Sequence, residues 1–395
     1  MKKLLTVLLT AALTLTMLTA CSNSADKDTS TGNQENSDTT IVIGGVGPLT
    51  GDYANYGNSV KNGATIAVDE INANGGVNGY TFKLDFQDSQ GDPDSAVSAY
   101  GKLMDNGMKV SLGGVLSGET TSIVAAAKDD GILVLTPSGS AKAAIEGSDS
   151  AFRVCFSDPS QGTASAKYIA DNGLATEVAV FYASDVDYSK GLYDTFTAEC
   201  ENLGITIKEV QTFTADSSTD FSTQIQAIKN SGVKLVFIPI YAAEAATFLT
   251  QAKAANAFTE DTIFFGCDGL DGILQKIDDP ANAENVMMIT PFAADSTDEK
   301  TQHFVGAYKD AFAAVPDQFA ADGYDAIYAI AEAINYAGVK PGAEDDFNAK
   351  LVDAMTNITV DGVTGEMTWG TDGETQKAAL AMIIHNGVAE LYSAQ

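Results

Sequence analysis

Short apolar runs alternate with amphipathic stretches from residue 41 almost to the end of the chain. Ile41-Val42-Ile43, Thr81 to Phe86, Val110 to Val115, Ile132 to Thr136, Glu177 to Tyr182, Ile205 to Thr212, Leu235 to Ile240 and Thr262 to Gly266 read as strands. Between them apolar residues recur at helical spacing. Val60, Ala64, Ala67, Val68 and Ile71 make one such stripe, and Ser95 to Asn106, Thr120 to Asp129, Gly162 to Asn172, Gly191 to Leu203, Phe221 to Ser231 and Ala242 to Asn256 read as further helices. Near the end, Asn386-Gly387 predicts a hairpin turn. Strands apolar on both faces, alternating with helices, predict an α/β fold of parallel sheets covered on both sides. So many strands need two sheets, and residues 41–395 are long for one domain but comfortable for two.

The first forty residues follow another pattern. Lys2, Lys3, an apolar run from Leu4 to Leu18 and the sequence Leu18-Thr19-Ala20-Cys21 predict an export signal over residues 1–20 that ends in a bacterial lipobox, with Cys21 as the lipidated N-terminus. Between Ser22 and Thr40 the only apolar side chain is Ala25, so residues 21–40 are expected to be a disordered tether. No other segment is apolar enough to span a bilayer, which leaves the lipid as the only expected membrane contact. The chain carries 22 basic and 53 acidic residues, a formal charge of −31 that argues against nucleic acid as a partner. Scattered surface charge is screened within about 10 Å in salt, so the charge of a ligand must be argued from its pocket.

Candidate chemistry gathers at strand ends, where ligands bind in open α/β sheets. After Val110 to Val115 come Leu116-Ser117-Gly118-Glu119, and after Ile132 to Thr136 come Pro137-Ser138-Gly139-Ser140. Each is a strand giving way to a helix start, where unpaired N–H groups welcome an anion. Tyr188, Tyr241 and Asp268 follow three later strands in the same manner. Glu119 reads either as a helix-start acid or as a sign of a polar group on the ligand. His303 and His385 have no nucleophile or metal ligand at motif spacing, and no nucleophile elbow or EF-hand loop is present. Pro48 interrupts the glycine-rich loop and no Walker lysine follows. A binding protein without enzymatic activity, cofactor or metal is therefore expected. Cys155, Cys200 and Cys267 lack metal-ligand spacing and allow at most one disulfide. Trp369 reads as a packing residue.

The stretch from Ile41 to Gly79 closely resembles the opening of the periplasmic leucine/isoleucine/valine-binding proteins. Their pattern GP-x-TG-x-x-A-x-YG-x-x-x-x-x-GA, followed by IN-x-x-GG-x-x-G, is matched at every fixed letter. The resemblance implies a type I periplasmic binding fold, two Rossmann-like lobes that the chain connects by three crossovers. These fall near Ser157 to Ser160, Ile289 to Phe292 and Val363 to Glu366, so that residues 41–158 and 293–362 form lobe 1 and residues 159–292 and 363–395 form lobe 2. It further implies that Ser117 and Ser140 hold an amino acid's α-carboxylate and that the Ser138 carbonyl and Asp268 receive its α-ammonium. Tyr56, Tyr188 and Tyr241 then line the cleft, with Leu116 and Gly139 beside it. Enteric relatives carry a disulfide early in lobe 1, but the aligned positions here are Gly91 and Leu116. The implied role is that of a monomeric, lipid-anchored, extracytoplasmic component of an ABC transporter that delivers Leu, Ile or Val to permease subunits. The same architecture also serves polar amino acids, amides, urea or aromatic acids, and ligand sensors that report to a receptor.

Overall fold

The first strand, β1 (Thr40–Gly47), is buried along nearly its whole length, as a central parallel strand must be. The computed structural model describes residues 39–342 and 345–392. The expected signal, Cys21 and nearly all of the tether lie outside the described residues. After β1 come α1 (Ala54–Ala73), β2 (Thr81–Asp88), α2 (Pro93–Asp105), β3 (Met108–Gly114), α3 (Ser117–Ala127), β4 (Val134–Thr136) and β5 (Ala151–Arg153). The five strands form one parallel sheet in the order β2-β1-β3-β4-β5.

The chain then passes into α4 (Asp158–Asp171), β6 (Glu177–Ala183), α5 (Asp187–Leu203), β7 (Thr206–Phe213), α6 (Ser222–Ser231), β8 (Leu235–Phe237), α7 (Ala242–Ala254), β9 (Ile263–Gly266) and β10 (Val286–Thr290). Within the second sheet β7-β6-β8-β9-β10 repeats the strand order of the first. The chain next returns to the first sheet with α8 (Glu299–Phe312), α9 (Gln318–Ala337), α10 (Phe347–Met355) and a hairpin of β11 (Thr359–Gly362) and β12 (Gly365–Thr368). It ends as β13 (Leu380–His385), antiparallel to β10, and β14 (Val388–Leu391). Asn386 and Gly387 join these two with φ of 51° and 75°, the left-handed pair that a tight hairpin needs.

Three helices begin about a full turn earlier than their apolar periodicity indicates. Thr120, Gly162 and Gly191 were the expected starts, whereas α3, α4 and α5 begin at Ser117, Asp158 and Asp187. Their first turns are polar because the N–H groups there face the cleft between the sheets rather than the core. In the other direction, β8 stops at Phe237, since Pro239 has no N–H to continue the ladder. Among the described residues Cys155, Cys200 and Cys267 are free and buried. A Cβ on Gly91 would stand 3.7 Å from Leu116 Cδ1, so these two positions pack against each other without a bond.

The third passage between sheets differs from the expectation at 363–366. Val363, Met367 and Trp369 belong to the core of the first sheet. Trp369 Nε1 donates to the Arg153 carbonyl at 2.7 Å, and the Arg153 N–H donates to the Gly373 carbonyl at 3.1 Å. Asp325 of α9 grips the intervening turn, accepting from the N–H of Val363 at 2.8 Å and of Thr364 at 2.9 Å. The chain therefore stays with the first sheet through Gly373 and joins the second at Leu380.

Helix α9 crosses α1 at glycines on both sides. A Cβ on Gly63 would lie 1.8 Å from the Ala320 carbonyl oxygen, and one on Gly323 would lie 2.3 Å from that of Val60. Both obstacles are backbone and cannot swing aside, so Gly63→Ala should destabilise the protein by about 2 to 3 kcal/mol. Gly101→Ala, in the open on α2, should instead be neutral or stabilising by up to about 1 kcal/mol. Urea denaturation of the two variants measures the contrast.

Candidate functional site

The carboxyl ends of both sets of strands carry the candidate residues. Asp88 pins the loop after β1, accepting from the Leu49 N–H at 2.8 Å and the Thr50 hydroxyl at 2.6 Å. Tyr56, in the first turn of α1, thereby points across to the second sheet. Its hydroxyl accepts from the Ala242 N–H and donates to the Gly269 carbonyl, both at 2.7 Å. From the other side the Gly269 N–H donates to the Tyr188 hydroxyl at 2.8 Å. The backbone of one residue is thus held on both sides by tyrosines from different elements, and a Cβ on Gly269 would lie 2.5 Å from Tyr188 Oη. Tyr188 stacks on Tyr241 at 4.8 Å and 7°, while Tyr56 packs against Tyr241 at 5.6 Å and Phe319 at 4.7 Å. The cleft is shut by direct contact between its two sides.

The two serine loops interlock. Ser117 Oγ accepts from the Ala141 N–H at 3.1 Å, and the Ser138 hydroxyl donates to the Val115 carbonyl at 2.7 Å. Gly139 has no space for a side chain, since a Cβ would stand 2.4 Å from Thr120 Oγ1. Arg153, the only arginine in the chain and fully buried, donates to the carbonyls of Gly139 at 2.8 Å and Ala141 at 3.0 Å. Its Nε lies 3.1 Å from Glu374 Oε2. With those carbonyls turned toward the guanidinium, and with the Gly139 and Ala141 N–H groups and the Ser138 hydroxyl bonded within the two loops, Ser140 is left as the loop's donor toward an anion.

Asp268 supplies the opposite charge. Gln161 Nε2 donates to its Oδ2 at 2.7 Å, and the Asp268 N–H donates to Gln161 Oε1 at 3.0 Å. Oδ1 is buried with no hydrogen-bond partner. Burial pushes the carboxyl from the usual 3.8 up to about 6, with Gln161 and Tyr188 pulling the other way. Glu119 spends both oxygens near its own helix start, accepting from the Ser89 hydroxyl at 2.5 Å and the Leu116 N–H at 3.1 Å. It is a helix-start acid.

The nine sequence-expected positions, Tyr56, Leu116, Ser117, Ser138, Gly139, Ser140, Tyr188, Tyr241 and Asp268, lie in the loops and first helical turns that follow the strands at this cleft. Phe319, Arg153, Asp158, Gln161 and the Tyr53–Glu244 pair at 2.6 Å were missed. A lone arginine in so acidic a chain was the available signal for the second of these. Donors for an anion, an unpaired carboxylate for a cation and a wall of rings for an apolar group suit a small zwitterion with an aliphatic body.

Such α/β halves, alike in strand order and closed over a polar cleft, define the class of two-lobed solute-binding proteins. Residues 40–387 match the family described as periplasmic binding protein. Among similar proteins, Leu/Ile/Val-binding protein BraC3 of Rhizobium johnstonii is 30% identical over 87% of this chain and 90% of its own length. The leucine-, isoleucine-, valine-, threonine-, and alanine-binding protein of Pseudomonas aeruginosa is 30% identical over 85% of this chain and 87% of its own. A solved structure of LivJ, the branched-chain amino acid transporter substrate-binding protein of Streptococcus pneumoniae, in complex with isoleucine, superposes with a TM-score of 0.80 at 27% identity, covering 89% of this chain and 99% of that one. The chain belongs to the periplasmic binding protein family and has its type I fold.

A carboxyl raised on folding keeps a proton that the unfolded chain has released, so its stabilising contribution is present at low pH and is lost as pH climbs through the folded value. For Asp268 that window runs from about 4 to about 6. At about 1.4 kcal/mol per tenfold change, the ligand-free protein should lose up to about 3 kcal/mol from this group between pH 4 and pH 7. Asp268→Asn should flatten that part of the curve in urea titrations across the range.

Proposed function

We propose that this protein is the extracytoplasmic substrate-binding component of an ABC transporter, and that it captures a branched-chain aliphatic amino acid, Leu, Ile or Val, for delivery to the permease. The observation that carries this reading is the unpaired Oδ1 of Asp268, buried in the same closed cleft as the Ser117 and Ser140 loops and the tyrosine rings. Ser117 and Ser140 receive the α-carboxylate, and Asp268 and the Ser138 carbonyl receive the α-ammonium. Tyr56, Tyr188, Tyr241, Leu116 and Gly139 surround the rest. The ligands in the names of the relatives support the same class.

In this reading residues 41–158 and 293–373 act as lobe 1, and residues 159–292 with the end of the chain as lobe 2. Ligand docks on lobe 1, and closure adds Tyr188, Tyr241 and Asp268. Signal cleavage leaves a lipidated Cys21 that anchors a monomer to the outer face of the cell membrane, and the closed form is what the permease recognises. Hydrogen bonds to charged groups contribute about 1.5 to 3 kcal/mol each and a buried aliphatic side chain a similar amount. Four to six such bonds exceed the ~8.2 kcal/mol of a micromolar complex, and the surplus offsets ordering and closure.

The test is calorimetric titration of the full chain, stripped of carried-over ligand by unfolding and refolding, with the twenty amino acids, urea and small amides. Micromolar or tighter binding of Leu, Ile or Val, weakened at least about a hundredfold by Asp268→Ala, is the expected result. Binding of an uncharged amide alone would remove the ligand assignment and leave the fold standing. Small-angle scattering should show a more compact particle with ligand than without it, and identical profiles would rule out hinge closure.

A further inference from the structure

Asp158 opens α4 at the first passage between the sheets and is completely buried, yet neither of its carboxylate oxygens has a hydrogen-bond partner. Asp158 stands one place inside the N-cap, Ser157, whose carbonyl takes the Gln161 N–H at 2.8 Å. The capping acids of this chain spend an oxygen on their own helix, Asp92 on the Ser95 N–H at 2.8 Å and Asp298 on the Thr301 N–H at 2.9 Å, whereas the Asp158 carboxylate is spent on no N–H of its first turn.

Its surroundings belong to the cleft. The Asp158 N–H donates to the Ser140 carbonyl at 2.9 Å, which ties α4 to the anion loop. Asp268 is the charged neighbour that acts on it most strongly, followed by Arg153 and Asp187, and the Ser140 hydroxyl stands beside it. The hydroxyls of Tyr188 and Tyr241 feel both Asp158 and Asp268. Arg153 does not neutralise it, since the guanidinium is committed to two carbonyls and Glu374. On α5, a Cβ at Gly191 would come within 3.3 Å of Asp158 Oδ2, so glycine there leaves the carboxylate room. Burial and Asp268 both drive its carboxyl well above the usual carboxylate range. A dry carboxylate with no hydrogen-bonded partner is costly to keep, and the Ser140 hydroxyl and the Arg153 charge nearby offset only part of the burial and of the repulsion from Asp268.

We infer that Asp158 is a second carboxylate for the ligand's ammonium group, shared with Asp268, and that the pair makes the cleft select amino acids over carboxylic acids of the same shape that lack the amino group. The inference rests on the amino-acid reading above and extends it to a residue outside the serine and tyrosine set. An ammonium carries three N–H donors, and the free oxygen of Asp268 with the Ser138 carbonyl answers two of them. Discrimination follows because a deaminated ligand leaves two buried carboxylates unanswered, the situation in which a site built for polar partners rejects an analogue most strongly.

The test titrates the ligand-free full chain with leucine, isoleucine and valine, and with 4-methylpentanoate, 3-methylpentanoate and 3-methylbutanoate, which differ from them only by loss of the amino group. The unaltered protein should prefer the amino acid by at least about a hundredfold. Asp158→Asn should weaken the amino acid by about tenfold to a hundredfold and tighten the deaminated acid, so that the preference collapses. A merely structural role would weaken both ligands alike and leave the preference intact, which would overturn the inference while the amino-acid reading stood. Failure of the unaltered protein to bind any amino acid would overturn both. Gly191→Ala, whose methyl group crowds Oδ2 without removing the charge, provides a second variant should Asp158→Asn fail to fold, and it should depress the amino acid selectively. An unchanged preference in that variant would also count against the inference.

Discussion

A single buried guanidinium holds together the parts of this molecule that the site depends on. Arg153 takes the carbonyls of Gly139 and Ala141, so the loop after β4 leaves Ser140 as its donor toward an anion. Through its own peptide it binds Trp369 and Gly373, which fixes the last passage of the chain to the first sheet. Its charge also lies beside Asp158, at the first passage. Removing one partner of a buried ion pair typically costs about 3 to 5 kcal/mol, and here the loss would fall on the anion loop and the connection between halves together.

The second organising constraint is topological. Both halves use the strand order 2-1-3-4-5, so each has a switch point where neighbouring strands send their following helices to opposite faces. Tyr56 and Ser117 follow the two strands at the first switch point, and Tyr188 and Tyr241 follow the two at the second. Helix starts and strand ends from both halves converge, which explains why polar residues in the first turns of these helices, Ser117 and Glu119 of α3, Asp158 and Gln161 of α4 and Ser189 of α5, are buried. The aromatic contacts of Tyr56 with Tyr241 and Phe319 then join first-sheet and second-sheet residues into one hydrophobic cluster when the cleft is shut.

Closure is specified by few polar contacts across the cleft. The Tyr56 hydroxyl bonds the Gly269 carbonyl and the Ala242 N–H, the Tyr53 hydroxyl donates to Glu244, and the Gln318 N–H donates to Asp271 Oδ2 at 2.7 Å. Burial pushes the Asp271 carboxyl up to about 7, with Asp317 across the cleft acting in the same direction. Contacts of this kind are worth about a kilocalorie each in net terms, the scale on which a ligand's own bonds can shift an equilibrium between open and closed forms.

Much of this was legible along the chain. Apolar runs and helical stripes determined the α/β class and nearly every element between residues 41 and 266, because period and burial are local properties of a strand or helix. The strand ends followed from the same pattern, whereas the choice of the nine site residues at and beyond them came from the resemblance to the leucine/isoleucine/valine-binding proteins. What only the tertiary structure decided lies where a residue's partner is distant in sequence. The first turns of α3, α4 and α5 carry no apolar period, so their helical state depends on a cleft built from both halves. Trp369 gave no hint that it would bond Arg153, 216 residues away, and hold residues 363–373 on the first sheet. Asp158 drew no reading from the sequence, where its helix was expected to begin only at Gly162, and the absence of a hydrogen-bonded partner for its carboxylate exists only once Ser140, Gly191 and Asp268 have been folded around it. Local pattern determines elements and strand ends, whereas desolvation and charge pairing depend on neighbours that the linear order does not specify.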